Sequence, residues 1–229
     1  MDDPDEAVPL PGATQLLHRL AARYGVAAVI SGRPLAFLRE HLGATPGLIL
    51  VGLYGLERSA PDGSTIAAAD ATRWRPAIDQ AADTAERELP STVDVERKGL
   101  AMTLHVRRHP EEAAAAASWA ARTAARAGLH VYAGRLSWEL RPPVNADKGT
   151  IVEELANDLD AACFAGDDLG DLPAFAALDR LQATGVHTVK VGVRSDEAPP
   201  EIMDRASIVV DGPAGALAWL SQLLGERPG

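Results

Sequence analysis

Short apolar runs, each about the length of a β-strand and each set between helical stretches, constrain this chain more than any other feature. Residues 26–30 form one such run, rich in β-branched side chains and bounded by Gly25 and Ser31-Gly32. Ahead of it, Leu16, Leu17, Leu20 and Tyr24 recur at helical spacing within 11–25, and Gly25 stops that helix. Residues 34–42 read as a second helix with proline in its first turn and Gly43 after it. Residues 48–54 read as another buried strand. Continuously apolar strands separated by helices predict a doubly wound α/β domain with a mostly parallel sheet, because parallel strands are covered on both faces. The same rhythm resumes after Arg141-Pro142-Pro143, with helices at 148–159, 172–181 and 213–224 and strands at 161–165, 188–193 and 207–210.

The texture between these halves differs. A turn at 61–64 precedes a long helix over 69–89, then half-exposed strands at 93–97 and 101–107. In the second strand Met102, Leu104 and Val106 face one way, and Thr103, His105 and Arg107 the other. A helix over 110–127 ends at Gly128, and strands follow at 130–133 and 137–140. This antiparallel αββαββ block reads as a domain inserted at 70–143 into a main domain formed by 1–69 and 144–229. The charge balance of 22 basic against 32 acidic residues, net −10, excludes the basic footprint of a nucleic-acid binder. Cys163 is alone, which excludes a disulfide framework or a cysteine zinc site, and its apolar strand predicts an inert buried thiol. The longest apolar run, 47–56, is too short to span a membrane, and the acidic start is unlike a signal peptide. A cytoplasmic protein that engages neither membrane nor nucleic acid is expected.

Four segments carry more than fold information. Gly166-Asp167-Asp168-Leu169-Gly170-Asp171 follows an apolar strand and precedes a helix, the place where open α/β sheets bind ligands. Crowded carboxylates repel, and a hard cation such as Mg²⁺ relieves them; an acidic loop capping the next helix is the equal alternative. Ser31-Gly32-Arg33, between a strand and a helix, offers a hydroxyl, backbone N–H groups and a helix N-terminus to an anion, or else a serine cap with a turn glycine. Lys148 opens a helix against the macrodipole and so asks for an anionic partner, unless it is a solvated surface lysine. In the insert, Glu96-Arg97-Lys98, His105, Arg107 and Glu139-Leu140-Arg141 could bind a polyhydroxylated ligand or pair across strands on a solvated face.

In this order and at these separations the segments resemble the haloacid-dehalogenase-type phosphohydrolases with an α/β cap, and more narrowly the trehalose-6-phosphate phosphatases. The resemblance covers almost the whole chain. Ser31-Gly32-Arg33 is similar to the family's phosphate-binding hydroxyl motif, Lys148-Gly149 to its lysine motif and 166–171 to its acidic metal motif. Gly52-Leu53-Tyr54-Gly55-Leu56-Glu57 looks like the segment before the cap, where many members carry His-Gly-x-Glu and this chain has Tyr54. Gly170 and Leu172 stand where many members have Thr and Glu, a second departure. The family's opening strand ends in Asp-x-Asp-Gly-Thr, whose aspartates are nucleophile and general acid/base. Asp2-Asp3-Pro4-Asp5-Glu6-Ala7 looks like the stretch just downstream of that motif. The expectation is therefore a core lacking its first strand, two open strand edges beside the site, and no turnover until the upstream strand is restored.

The resemblance implies hydrolysis of trehalose 6-phosphate to trehalose and phosphate through an aspartyl-phosphate. Ser31 and Lys148 would handle the phosphoryl group, and Asp167 would hold Mg²⁺ with Asp168 or Asp171 in support. Arg33, Glu57, Glu96, Lys98, His105, Arg107, Glu139, Arg141 and Asn145 are the residues it implies for substrate. A small-molecule sugar phosphate is the expected partner, with trehalose-6-phosphate synthase as a functional companion. Two alternatives stand beside this reading: a capped phosphatase for another sugar phosphate, such as sucrose phosphate or a phosphoglycerate glycoside, and a non-catalytic module that keeps the cap and Mg²⁺ site.

Overall fold

A computed structural model describes residues 8–43, 45–196 and 198–225. The acidic opening compared above with a post-motif stretch lies outside them. The chain divides into two compact units. One is Ile66–Asn145, and the other joins Val8–Thr65 to the chain from Ala146 onward.

The discontinuous unit begins with α1 (Ala13–Arg23), β1 (Ala27–Ile30), α2 (Leu35–Leu42) and β2 (Leu48–Gly52). β1 and β2 run parallel, Ala27 opposite Leu48 and Ile30 opposite Val51. Leu35, Leu38 and Leu42 recur at three- and four-residue spacing on α2, and that stripe packs on Leu48 and Leu50 of β2. Two short strands missed by the sequence reading, β3 (Glu57–Ser59) and β4 (Thr65–Ala67), extend this sheet in the order β1-β2-β3-β4.

The inserted unit holds α3 (Ala69–Thr72), α4 (Arg75–Glu88), β5 (Asp94–Arg97), β6 (Met102–His105), α5 (Ala113–Ala127), β7 (His130–Gly134) and β8 (Ser137–Arg141). Its antiparallel sheet has the order β5-β6-β8-β7. Met102, Leu104 and Leu140 of the sheet pack with Ile78 and Ala82 of α4 and Trp119 and Ala120 of α5. The helix expected over 69–89 is broken at Arg73-Trp74. Pro76 is the cause, since its ring and missing N–H confine proline to a helix's first turn, and here it starts α4.

The main unit then continues with α6 (Lys148–Ala156), β9 (Ala161–Gly166), α7 (Leu172–Ala183), β10 (His187–Arg194), α8 (Pro200–Arg205), β11 (Ile208–Asp211) and α9 (Gly212–Gln222). Of these α8 was not anticipated. β9, β10 and β11 are parallel and form a second sheet in the order β11-β10-β9. Val152 and Ala156 of α6 meet Ala174, Ala177, Leu178 and Leu181 of α7 over Phe164 and Ile30.

Among the described residues β1 and β9 each pair on one side only, so both present an open edge. Two expectations are corrected here. The run at 26–30 is half-buried rather than buried, and Ala161, Cys163 and Ala165 alternate as exposed positions. Cys163 is exposed, although the protein around it desolvates the thiol and pushes its pKa up, which keeps it protonated and unreactive. An open parallel edge leaves N–H and C=O groups without ladder partners, a state native sheets normally avoid.

Candidate functional site

The site grows from loops at the carboxyl ends of β1, β2 and β9. After β1 the chain turns through Ser31-Gly32-Arg33, and the segment after β2 holds it there. Ser31 N donates to Val51 O at 2.9 Å, Tyr54 N to Ser31 O at 2.9 Å and Leu53 N to Arg33 O at 3.0 Å. Gly52 permits this approach, because a Cβ at that position would lie 2.5 Å from Leu35 N. Ser31 Oγ accepts from Arg33 N at 3.1 Å, which leaves its own proton to donate outward. The Arg33 guanidinium lies 4.8 Å over the Phe37 ring. Glu57, expected above to meet substrate, lies beside the start of α2. Its Oε2 accepts from Leu35 N at 2.9 Å and so caps α2, whose Pro34 supplies no side-chain cap.

Lys148 and the acidic loop meet at the core of the site. Asp147 caps α6 in a reciprocal pair with Thr150: Thr150 N donates to Asp147 Oδ1 at 2.8 Å, and Asp147 N donates to Thr150 Oγ1 at 3.2 Å. The next residue, Lys148, turns inward and is only 7% exposed. Its Nζ lies 2.5 Å from Asp171 Oδ1 and 3.8 Å from Asp168 Oδ1. Burial works against the ammonium, yet attraction to Asp171 and Asp168 more than offsets it, and the Lys148 pKa is raised. The anionic partner demanded by a lysine at a helix start is thus supplied from within.

Asp171 is fully engaged by the protein. Besides Lys148, its Oδ2 accepts from the backbone N–H of Asp167 at 2.9 Å and of Asp168 at 3.1 Å. Asp167 and Asp168 are exposed, and the carboxyl pKa of each is raised. For Asp167 the causes are desolvation, then the Asp171 and Asp168 charges. For Asp168 desolvation and Asp171 together outweigh the opposing pull of Lys148. Solvent reaches these carboxylates from one side while the loop crowds them from the other. No three His, Cys, Asp or Glu side chains converge as a metal cage among the described residues. Asp167 and Asp168 remain as the outward oxygen donors.

Tyr54 ties the three segments together, and the sequence reading treated it only as a departure from a family pattern. A Cβ on Gly32 would lie 2.5 Å from Tyr54 Cζ and Oη, and one on Gly170 would lie 3.4 Å from its Cε1. Lys148 Nζ is 5.9 Å from the centre of the same ring. The backbone that aims this ring is strained: Leu53 and Tyr54 have φ of 49° and 58°, left-handed values that cost non-glycine residues about 1–2 kcal/mol each. No composition signal marks this, since neither Leu nor Tyr is a turn former. Gly166 is equally confined, with a Cβ there falling 2.4 Å from Asp171 Cγ. Gly166→Ala is expected to lose about 1–3 kcal/mol in urea unfolding by forcing Asp171 off Lys148; an unchanged midpoint would contradict that packing.

The inserted unit gathers most of the remaining candidates. Lys98 Nζ bridges Glu139 at 3.2 Å and Glu96 at 3.4 Å, and His105 Nε2 lies 2.8 Å from Glu96 Oε2. Arg141 Nε donates to Glu139 Oε2 at 2.8 Å, and its guanidinium sits 4.2 Å over the Tyr132 ring. Glu96, Lys98, His105, Glu139 and Arg141 therefore form one polar network. Arg107, just beyond β6, and Asn145, where the chain leaves the unit, are exposed.

Comparison with known proteins bears on this arrangement. The trehalose-phosphatase family profile matches residues 1–203. The trehalose-phosphate phosphatase of Mycobacterium avium strain 104 is 36% identical over 236 residues, covering 97% of this chain and 58% of its own length. A solved trehalose-6-phosphate phosphatase related protein superposes with a TM-score of 0.78 at 20% identity, covering 98% of this chain and 92% of that one. A haloacid dehalogenase-like hydrolase from Bacteroides thetaiotaomicron shares the fold at 11% identity, with a TM-score of 0.64 and coverage of 93% and 92%. The chain thus spans less than two thirds of the curated relative it matches.

Proposed function

The chain belongs to the trehalose-phosphatase family, and from that premise we propose that it hydrolyses trehalose 6-phosphate to trehalose and inorganic phosphate. The observation that carries the reading is the convergence of Ser31-Gly32-Arg33, Lys148 and the acidic loop on Tyr54. Phosphoryl transfer needs little covalent chemistry beyond a nucleophile; most of its catalysis is positioning and charge neutralisation. Ser31 Oγ, with its proton free to turn outward, donates to a phosphoryl oxygen. Lys148, kept charged by Asp171 and Asp168, neutralises phosphate charge, and Arg33 flanks the incoming ester.

The residues at the acidic loop fit Mg²⁺, which binds through one or two carboxylates and completes its shell with water and substrate phosphate. Asp167 and Asp168 would hold it, and Asp171 would orient them through their backbone N–H groups. When bound, Mg²⁺ supplies charge stabilisation to the phosphoryl oxygens. On this reading the carboxylate that attacks phosphorus sits on a strand paired with the open edges of β1 and β9, and an Asp-x-Asp sequence there supplies nucleophile and acid/base. In the inserted unit Glu96, Lys98, His105, Glu139 and Arg141 read the sugar hydroxyls, with Arg107 and Asn145 at the periphery and Glu57 acting through α2. A trehalose-6-phosphate synthase would make the substrate, and a cytoplasmic reaction is part of this reading. Among the described residues no helix is long and apolar enough to cross a membrane.

Phosphate release from trehalose 6-phosphate with Mg²⁺, measured for this chain and for one extended upstream, tests the proposal. Turnover by the extended chain, with weaker release from a panel of other sugar phosphates, is the expected result. An upstream frame without Asp-x-Asp, or an inert extended chain, would sink it.

A further inference from the structure

Strand register in the inserted unit fixes which residues share a face. Glu96 of β5 lies opposite Thr103 of β6, Thr103 opposite Glu139 of β8, and Glu139 opposite Tyr132 of β7. The neighbouring rows, through Met102 and Leu140 and through Leu104 and Trp138, pack against α4 and α5. By strand alternation, the Glu96–Thr103–Glu139–Tyr132 row projects from the opposite face.

Ion pairing explains the two glutamates but not the other two residues. Thr103 is 3% exposed, and its Oγ1 is buried without a hydrogen-bond partner. The carboxylates on either side of it could accept its proton, yet they turn to cations: Glu96 to His105 and Lys98, Glu139 to Lys98 and Arg141. A buried, unsatisfied hydroxyl costs stability, and valine has nearly the same shape without that cost. Tyr132, at the end of the row on edge strand β7, leaves 40% of its surface exposed while Arg141 covers one face of its ring.

We propose that Thr103 and Tyr132 complete a polyol-recognition row with Glu96 and Glu139. The flat ring of Tyr132 receives the C–H face of a sugar ring. Sugar hydroxyls donate to Glu96 and Glu139 and draw them from their cations, and the Thr103 hydroxyl gains its partner in that rearrangement. Glu96 and Glu139 supply acceptors, and Lys98 and Arg141 balance their charge while supplying donors, so this row suits the neutral, hydroxyl-rich portion of a ligand. The inference deepens the phosphatase reading and relies on it only for the identity of the sugar.

Trehalose binding to the whole chain, by calorimetry, together with thermal melts of the free protein, tests it. Thr103→Val is expected to raise Tm while weakening trehalose binding about fivefold, the worth of one hydrogen bond. Thr103→Ser, which keeps the hydroxyl, binds within about twofold of wild type. Tyr132→Ala loses about tenfold and Tyr132→Phe little, since the ring and not its hydroxyl makes the contact. A purely structural threonine would not give higher Tm with weaker binding. Unchanged binding by both Thr103→Val and Tyr132→Ala overturns the inference, as does a lower Tm for Thr103→Val. If wild type releases phosphate from trehalose 6-phosphate but binds no trehalose, the row is overturned and the phosphatase reading stands. The expected binding pattern without phosphate release leaves the row standing and removes the reading.

Discussion

Lys148→Met is expected to remove about 3–5 kcal/mol of unfolding free energy, the cost of stripping one partner from a buried ion pair. The side chains of Lys148 and Asp171 are 9% and 4% exposed and 2.5 Å apart. Methionine fills the space of the lysine stem, so the loss is electrostatic: Asp171 keeps two backbone N–H donors but no cation. Asp171→Asn should cost less, because Asp168 at 3.8 Å still faces the ammonium. The double variant should recover part of the loss, with a coupling above about 1 kcal/mol for groups in direct contact. Urea unfolding of all four proteins measures this; additive losses would show that the pair does not act as a unit. The pH profile is a separate check. A raised lysine pKa means stabilisation that is complete below the ordinary value of 10.5 and is lost as pH rises through the higher folded value. Wild type should therefore show an alkaline decline above that value that Lys148→Met lacks.

Much of this arrangement was legible in the sequence, and the exceptions have physical causes. Short apolar runs located β1 and β2, because parallel strands are apolar along their length, although β1 is only half-buried. Three-residue strands such as Glu57–Ser59 and Thr65–Ala67 carry no period, so the extension of the first sheet was invisible. Ala71, Ile78, Ala81, Ala82 and Ala85 keep one apolar rhythm across 69–89, so the periodicity alone does not show the break that Pro76 imposes at the start of α4. Lys148 declared itself by opposing its helix dipole. Its partner lies 23 residues on, and only the packing of α6 against α7 brings the two together. Thr103 was placed correctly on the polar face of β6, but alternation alone does not show that a residue on that face is buried. Tyr54 was the hardest to see. Its role depends on two left-handed backbone positions that no local propensity favours.

Asp167→Asn should separate the stability of the acidic loop from its chemistry. The folded-state carboxyl pKa of Asp167 lies above its ordinary value of 3.8, chiefly through desolvation and then through Asp171 and Asp168. A raised carboxyl pKa favours folding only below the ordinary value, and that contribution is lost as pH rises through the folded pKa. At neutral pH the metal-free protein thus carries an opposed charge in this loop, its effect reduced by the solvent that reaches it. Asparagine removes the charge, so metal-free Asp167→Asn should melt no lower than wild type at pH 7, and the decline between acid and neutral pH should flatten. The response to Mg²⁺ should move the other way. A ligand held only by the folded state adds about 2.7 kcal/mol at a hundred times its Kd, and Asp167→Asn should lose most of that thermal shift. Phosphate release by the upstream-extended chain should fall at least about a hundredfold, because several kcal/mol of transition-state charge stabilisation go with the metal. A variant that kept the full Mg²⁺-dependent shift would place the cation elsewhere. A variant that melted well below wild type without Mg²⁺ would mean that the Asp167 carboxylate helps hold the loop together, contrary to its crowding by Asp171 and Asp168.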